Sequence, residues 1–209
     1  DDDLKLPFLS NKDKEDILFA NRMNVDFLAL SLVSSSEDVL DINDLLIELG
    51  NDHMSIISKI ERESAVDDID NIIKVSDGVM LTRGDLGVEI PIERIPGIQK
   101  MVINKCHYAG KISIIATEIL SSMEYSLVPT RAEVSDVANA VLDGADAIML
   151  SLETMKGHHP IEALNVMRRV IIATEENIDY NSLLDKAIRS ESGDIIGSLA
   201  YSVALLSSQ

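Results

Sequence analysis

The stretch Gly78-Val79-Met80-Leu81-Thr82-Arg83-Gly84-Asp85-Leu86-Gly87-Val88-Glu89-Ile90-Pro91 decides the fold of this chain. It begins as a short aliphatic run of the kind found in parallel sheets, where both faces of a strand are covered. It then stops on a cation, two glycines and a carboxylate and leads toward a short helix. A buried strand gains nothing in packing from such an ending, whereas a site at the end of a strand needs it. Upstream, Ser58-Lys59-Ile60-Glu61 closes another apolar run with a second ionic cluster. Two strands that deliver Lys, Glu, Arg and Asp to one end suit metal-assisted chemistry on an anionic substrate.

Working outward, five aliphatic runs recur, over residues 27–33, 55–60, 78–81, 112–116 and 147–150. Amphipathic segments of helical period lie between them. Helices are expected over 11–23 behind Ser10 as N-cap, over 36–49 up to Gly50, over 64–75, over 98–108 up to Gly110, and over 130–142 up to Gly144. A last one opens at Pro160 and runs to about residue 178. Strands that alternate with helices in this way build βαβ units and a parallel sheet. A doubly wound sheet would carry a Gly-rich turn after its first strand, and none is present here. Instead, the runs end on polar groups: Ser31, Lys59 with Glu61, Arg83 with Asp85, Thr117 with Glu118, and Ser151 with Glu153. A closed barrel turns all strand C-termini toward one mouth, where its chemistry sits. The expected fold is therefore α/β, a partial TIM (β/α)8 barrel with about five of the eight parallel strands and their helices. Residues 1–177 would form this second half of a barrel. From 178 to 209 the pattern changes to a polar linker and an apolar segment rich in small residues (Gly197, Ser198, Ala200, Ser202, Ala204), expected as the first, truncated helix of a following domain.

Composition narrows the function. Hydrophobic residues make up 46% of the 209, but aromatics only 3% with no Trp, so the core must be aliphatic. The formal charge of −18, from 18 basic and 36 acidic residues, opposes binding to nucleic acid or to an anionic membrane surface. An anionic substrate would need a local basic pocket against that field. The single cysteine, Cys106, excludes an internal disulfide and suits a reducing compartment. It lies in an apolar-periodic segment, which favours a buried structural thiol over a nucleophile. No apolar run approaches the length of a membrane span. The chain opens on Asp1-Asp2-Asp3 without Met, as a piece of a longer polypeptide would. A cytoplasmic location is expected, or an organellar one if a targeting segment precedes this piece.

Among the strand-end residues, Glu61 and Asp85 are the candidate divalent-metal ligands, since hard cations take one or two carboxylates plus substrate oxygens and water. The alternative is a pair of surface carboxylates at loop starts. Lys59 is the candidate for stabilising charge on a phosphoryl group in flight, or else an ion-pair partner of Glu61 or Asp85. Gly84 permits close backbone approach to a ligand, and free N–H groups of the segment after Asp85 would suit a carboxylate or phosphate. Thr117 offers a hydroxyl at the next strand end, or caps the loop that follows. Thr130-Arg131-Ala132-Glu133 has the spacing of a capping box. His53, His107, His158 and His159 lack the ligand spacing of a zinc site.

Ile57-Ser58-Lys59-Ile60-Glu61, the run from Arg83 to Pro91, the run from Pro129 to Asp146 and Met149-Leu150-Ser151 together resemble the pyruvate kinase family closely. The resemblance runs from about Leu6 to Asn177. It implies phosphoryl transfer from phosphoenolpyruvate to ADP, giving pyruvate and ATP, in a glycolytic homotetramer. By match to the family motifs, Glu61 and Asp85 would hold Mg2+ (or Mn2+). Lys59 would contact the transferring phosphoryl group. The backbone at Gly84 and Asp85, with the Thr117 hydroxyl, would receive the substrate carboxylate. Ser31 matches a residue that helps hold K+, and Arg131 one at the subunit interface.

Two departures stand out. The family usually carries Thr-Gln where this chain has Thr117-Glu118, and Ser-Gly-Glu-Thr where it has Ser151-Leu152-Glu153-Thr154. Leu152 is expected to crowd the mouth or strain a turn that Gly tolerates. Glu118 adds negative charge where anionic substrates bind. The isolated chain is expected to be inactive, because the first strands of the barrel and the family's lid domain have no counterpart in it. Two alternatives remain: a metal-dependent lyase acting on pyruvate-like enolates on a similar barrel, and a degenerate paralogue kept for assembly or regulation.

Overall fold

Strands in the middle of a parallel sheet must be apolar on both faces, and β3 (Gly78–Thr82) is buried at every position. In the computed structural model it is flanked by β2 (Ser55–Ile60) and β4 (Ile112–Ala116), with β1 (Phe27–Leu30) and β5 (Ala147–Met149) outside them. All neighbours are parallel and the spatial order is β1-β2-β3-β4-β5, an open five-stranded sheet. The structure describes residues 8–51 and 53–180, with residues 199, 202, 203 and 206 beyond them. Those four are helical; the rest of the segment expected as a linker and truncated helix after residue 180, and the stretch before Phe8, lie outside the described residues.

The helices are α1 (Asn11–Met23), α2 (Ser36–Glu48), α3 (Glu63–Asp67), α4 (Ile69–Val75), α5 (Arg83–Glu89), α6 (Ile95–Ala109), α7 (Arg131–Leu142), α8 (Leu152–Met155) and α9 (Pro160–Glu175). Ser10 caps α1 through a reciprocal capping box with Asp13, and Thr130 caps α7 in the same way with Glu133. Gly50 and Gly110 take left-handed backbone just past α2 and α6. The single helix expected over 64–75 is two, broken at Asp68. There the side chain accepts the Ser36 N–H at the start of α2 (2.7 Å) and the Asn71 amide (2.6 Å), a competition that short polar side chains offer to helix backbone. The short helix foreseen after Asp85 already begins at Arg83, so Gly84 and Asp85 occupy its first turn.

Strand register sorts the sheet into two faces. Ile56, Ile60, Val79, Leu81 and Ile115 belong to the large core shared with the helices. Alternate residues Ile57, Met80 and Ala116, with Ile114 and Met149 against them, form a second, smaller cluster. This opposite face corresponds to the interior of a barrel, and Gly78 shapes it: a Cβ there would sit 2.7 Å from Ile57 Cδ1 and 3.0 Å from Ile112 Cβ.

Cys106 has no solvent exposure, as the apolar period foretold. Burial, with a smaller contribution from the Asp146 charge, pushes its thiol up to about 11. The thiolate is the reactive form, so Cys106 is expected to resist a disulfide reagent at pH 8 while the protein is folded and to react fully once it is unfolded in guanidinium. Fast labelling of native protein at this position, read by peptide mass, would contradict the buried placement.

Candidate active site

The pairing of β1 with β2 brings Leu30 beside Ser58, which sets Ser31 beside Lys59 one step further on. Lys59 follows Ile57 by two residues and so lies on the inner face, at its C-terminal end. Its ammonium donates to Ser31 Oγ (2.8 Å) and pairs with Glu61 Oε1 (2.7 Å). The other Glu61 oxygen accepts the Leu32 N–H at 2.6 Å. Leu32 reaches it only because its backbone is left-handed (φ 58), the same bend that ends β1 three residues before the expected limit. The Glu61 side chain is 4% exposed and that of Lys59 22%, so the carboxylate is nearly enclosed while the ammonium keeps an open side. Arg62, which the sequence pattern did not single out, adds a cation at the same end and donates to Ser34 Oγ (3.3 Å).

Around β3 and β4 the strand-end residues divide in purpose. Arg83 is buried, and its guanidinium grips structural acceptors: the carbonyls of Thr117 (3.1 Å) and Glu118 (2.7 Å), Gln99 Oε1 (3.3 Å), and Asp136 by a hydrogen bond of 2.8 Å and an ion-pair contact of 2.7 Å. Thr117 and Glu118 are consecutive left-handed residues (φ 66 and 52). Thr117 does not cap the loop that follows it; its Oγ1 accepts the Gly84 N–H in the first turn of α5 at 2.8 Å, leaving its own proton to donate elsewhere. The Glu118 side chain is exposed and lies over Gly84, its Cδ 3.6 Å from where a Cβ would stand. Asp85 is exposed and forms no hydrogen bond or ion pair among the described residues. The far end of α5 is tied down by Glu89, which accepts the Glu63 N–H (2.8 Å) at the start of α3.

Arg131 is exposed in the first turn of α7 and borders a groove with Leu127, Val128, Val134 and Val170. Glu133 ties that turn to the β4–α7 loop by accepting from both Ser122 and Thr130, backbone and hydroxyl. Burial alone would raise its carboxyl, but the four hydrogen bonds outweigh burial and hold it below the usual carboxylate range. At β5, Glu153 is buried and accepts the Ser151 N–H (2.8 Å). Leu152 does not take left-handed backbone; it opens α8 with its side chain half exposed, so the turn strain expected from replacing Gly is absent.

The donor set fits a hard divalent cation. One enclosed carboxylate and one exposed, unpaired carboxylate follow adjacent strands. No group of three or more His, Cys, Asp or Glu is arranged for a metal among the described residues, so further ligands would have to be substrate oxygens or water.

A parallel βα array with its ionic and hydroxyl groups gathered at the strand C-termini defines part of a (β/α)-barrel of the enzyme type. The family model for the pyruvate kinase barrel domain matches residues 1–164. The chain is 53% identical over 181 residues to pyruvate kinase of Clostridium perfringens, covering 87% of this chain and 38% of that protein. It is 49% identical over 183 residues to that of the yeast Lachancea kluyveri, covering 88% and 36%. A crystal structure of a pyruvate kinase from Cryptosporidium parvum superposes with a TM-score of 0.89 at 45% identity, over 92% of this chain and 41% of that one. The chain belongs to the pyruvate kinase family and spans well under half the length of these relatives.

Proposed function

We propose that this chain supplies one side of the active site of a pyruvate kinase that transfers the phosphoryl group of phosphoenolpyruvate to ADP and yields pyruvate and ATP. The observation that carries this reading is the Ser31–Lys59–Glu61 chain of contacts on the inner face, a fixed ammonium with an open side next to an enclosed carboxylate. Lys59 stabilises the negative charge that spreads over the transferring phosphoryl oxygens. Thr117, its oxygen held by the Gly84 N–H, is oriented to donate its proton to an oxygen of the substrate; with the Gly84 N–H given to Thr117, the Asp85 N–H of the same first turn is the backbone donor left for that ligand. Glu61 and Asp85 would hold the divalent cation, Mg2+ or Mn2+, which would supply Lewis-acid stabilisation of negative charge on substrate oxygens. Ser31 lends its hydroxyl oxygen to a K+ site, and Arg131 meets a neighbouring subunit of a homotetramer. The setting is cytoplasmic, and no helix among the described residues is long and apolar enough to cross a membrane.

The test is a coupled assay on the full-length protein. Pyruvate formation from phosphoenolpyruvate is expected to require ADP, to stop on chelation, and to return with Mg2+ or Mn2+ and rise with K+. Pyruvate released from a larger keto acid without ADP would replace the kinase by a lyase. A protein that assembles and binds substrate without turnover would be a degenerate paralogue, and the Glu118 carboxylate over Gly84 would be the first residue to examine.

A further inference from the structure

Arg83 follows β3 as the first residue of α5 and yet does not serve the mouth of the sheet. It is 8% exposed and joins three elements: the start of α5, the loop after β4 through the Thr117 and Glu118 carbonyls, and α7 through Asp136. Gln99 on α6 completes the set, itself held by Asp143 (3.2 Å). Carbonyls collected by one guanidinium are common, but these two belong to successive non-glycine residues in left-handed backbone. Such a conformation persists only where the surroundings impose it. Both carbonyls accept from the same guanidinium, which holds the two peptide units in that orientation.

The geometry points to Asp136 and Arg83 as positioning residues for Thr117. Asp136 fixes the guanidinium by a hydrogen bond and an ion-pair contact, the guanidinium fixes the two carbonyls, and the carbonyls fix the backbone that presents the Thr117 hydroxyl to Gly84. A plain structural ion pair would need no such pair of strained acceptors, and buried pairs are weak stabilisers in themselves. Lysine could not take the role, because an ammonium lacks the planar fork that serves a carboxylate and two carbonyls together. The inference rests on the reading of Thr117 as the group that meets the substrate. It adds that a residue on the outer helix α7, without touching substrate, sets how well that hydroxyl is aimed.

Asp136→Asn in the full-length protein tests it through two independent readouts. Amide exchange at Gly84 in the unliganded protein is expected to quicken about fivefold, since the hydrogen bond to Thr117 Oγ1 is loosened. Turnover is expected to fall by roughly ten- to a hundredfold, mainly in kcat, with the apparent affinity for Mn2+ unchanged. In a Thr117→Val background, Asp136→Asn should cost nothing further, and Asp136→Glu should restore part of the rate in the parent background. Unchanged Gly84 exchange, or losses that simply multiply in the double variant, would overturn the positioning role. Should the unmodified protein lack kinase activity, the exchange readout alone still decides whether the device exists. If Asp136→Asn does not fold, Gln99→Leu removes a single partner of the guanidinium and is expected to shift Gly84 exchange in the same direction by less; no shift there would also overturn it.

Discussion

Lys59→Met in the full-length protein is expected to lower pyruvate formation about a thousandfold, almost entirely through kcat. The methionine keeps an unbranched apolar stem along the inner face, so packing next to Ile57 and Met80 changes little. What disappears is the ammonium that bonds Ser31 and Glu61. A charge that meets the phosphoryl oxygens most strongly in the transition state contributes to rate rather than to ground-state binding, so KM for phosphoenolpyruvate should move far less than kcat. Some stability is lost as well, because Glu61 is left enclosed with the Leu32 N–H as its one partner among the described residues. With Lys59 partly open to solvent, a cost of about 1–3 kcal/mol is reasonable, visible as a lower Tm. Turnover within about tenfold of the unmodified protein would remove Lys59 from the chemistry.

Glu61→Gln and Asp85→Asn are both expected to abolish divalent-dependent turnover, with losses of about a thousandfold or more, but they should differ in stability. A glutamine at 61 cannot satisfy Lys59 and Leu32 together. Its oxygen can accept from one, and its NH2 then faces the other donor. Asp85 has no ion pair to lose among the described residues and stands exposed in the first turn of α5, so Asp85→Asn should leave Tm within about 1 °C. Mn2+ titration monitored by its paramagnetism, run beside thermal melts, separates the two. Near-normal turnover or Mn2+ affinity in either variant would sink the metal-ligand assignment for that residue.

The fold was largely legible because aliphatic runs and helix-ending glycines are local signals. β2 and β4 match their expected limits, and the Ser10 and Thr130 caps fall where the sequence placed them. Boundaries that depend on tertiary contacts were not legible. The break at Asp68 arises from a bond to Ser36, far away along the chain, and β1 ends early because Leu32 turns to meet Glu61. Within the site, Lys59, Glu61 and Thr117 stood out as polar residues with no packing reason to end a strand. Asp136 and Gln99 gave no such sign, since a carboxylate and an amide on helices look like ordinary solvated positions. Arg83 drew notice for the right residue type but the wrong purpose: only coordinates distinguish a cation aimed at a ligand from one aimed at two backbone carbonyls.

The order of the strands in the sheet has a consequence for how the chain assembles. Each of β1 to β4 pairs with the strand that follows it in sequence, and only helical segments lie between the two. Among the described strands none waits for a partner more than one unit away, so the sheet can lengthen by one βα unit at a time as the polypeptide leaves the ribosome. At each stage the newest strand is the exposed edge, a template for stray pairing until the next arrives. While residues 83–111 emerge, after β3 has docked and before β4 follows it out, the strand that ends up buried at every position is uncovered on one side. That interval is when a growing chain of this kind has most need of a chaperone.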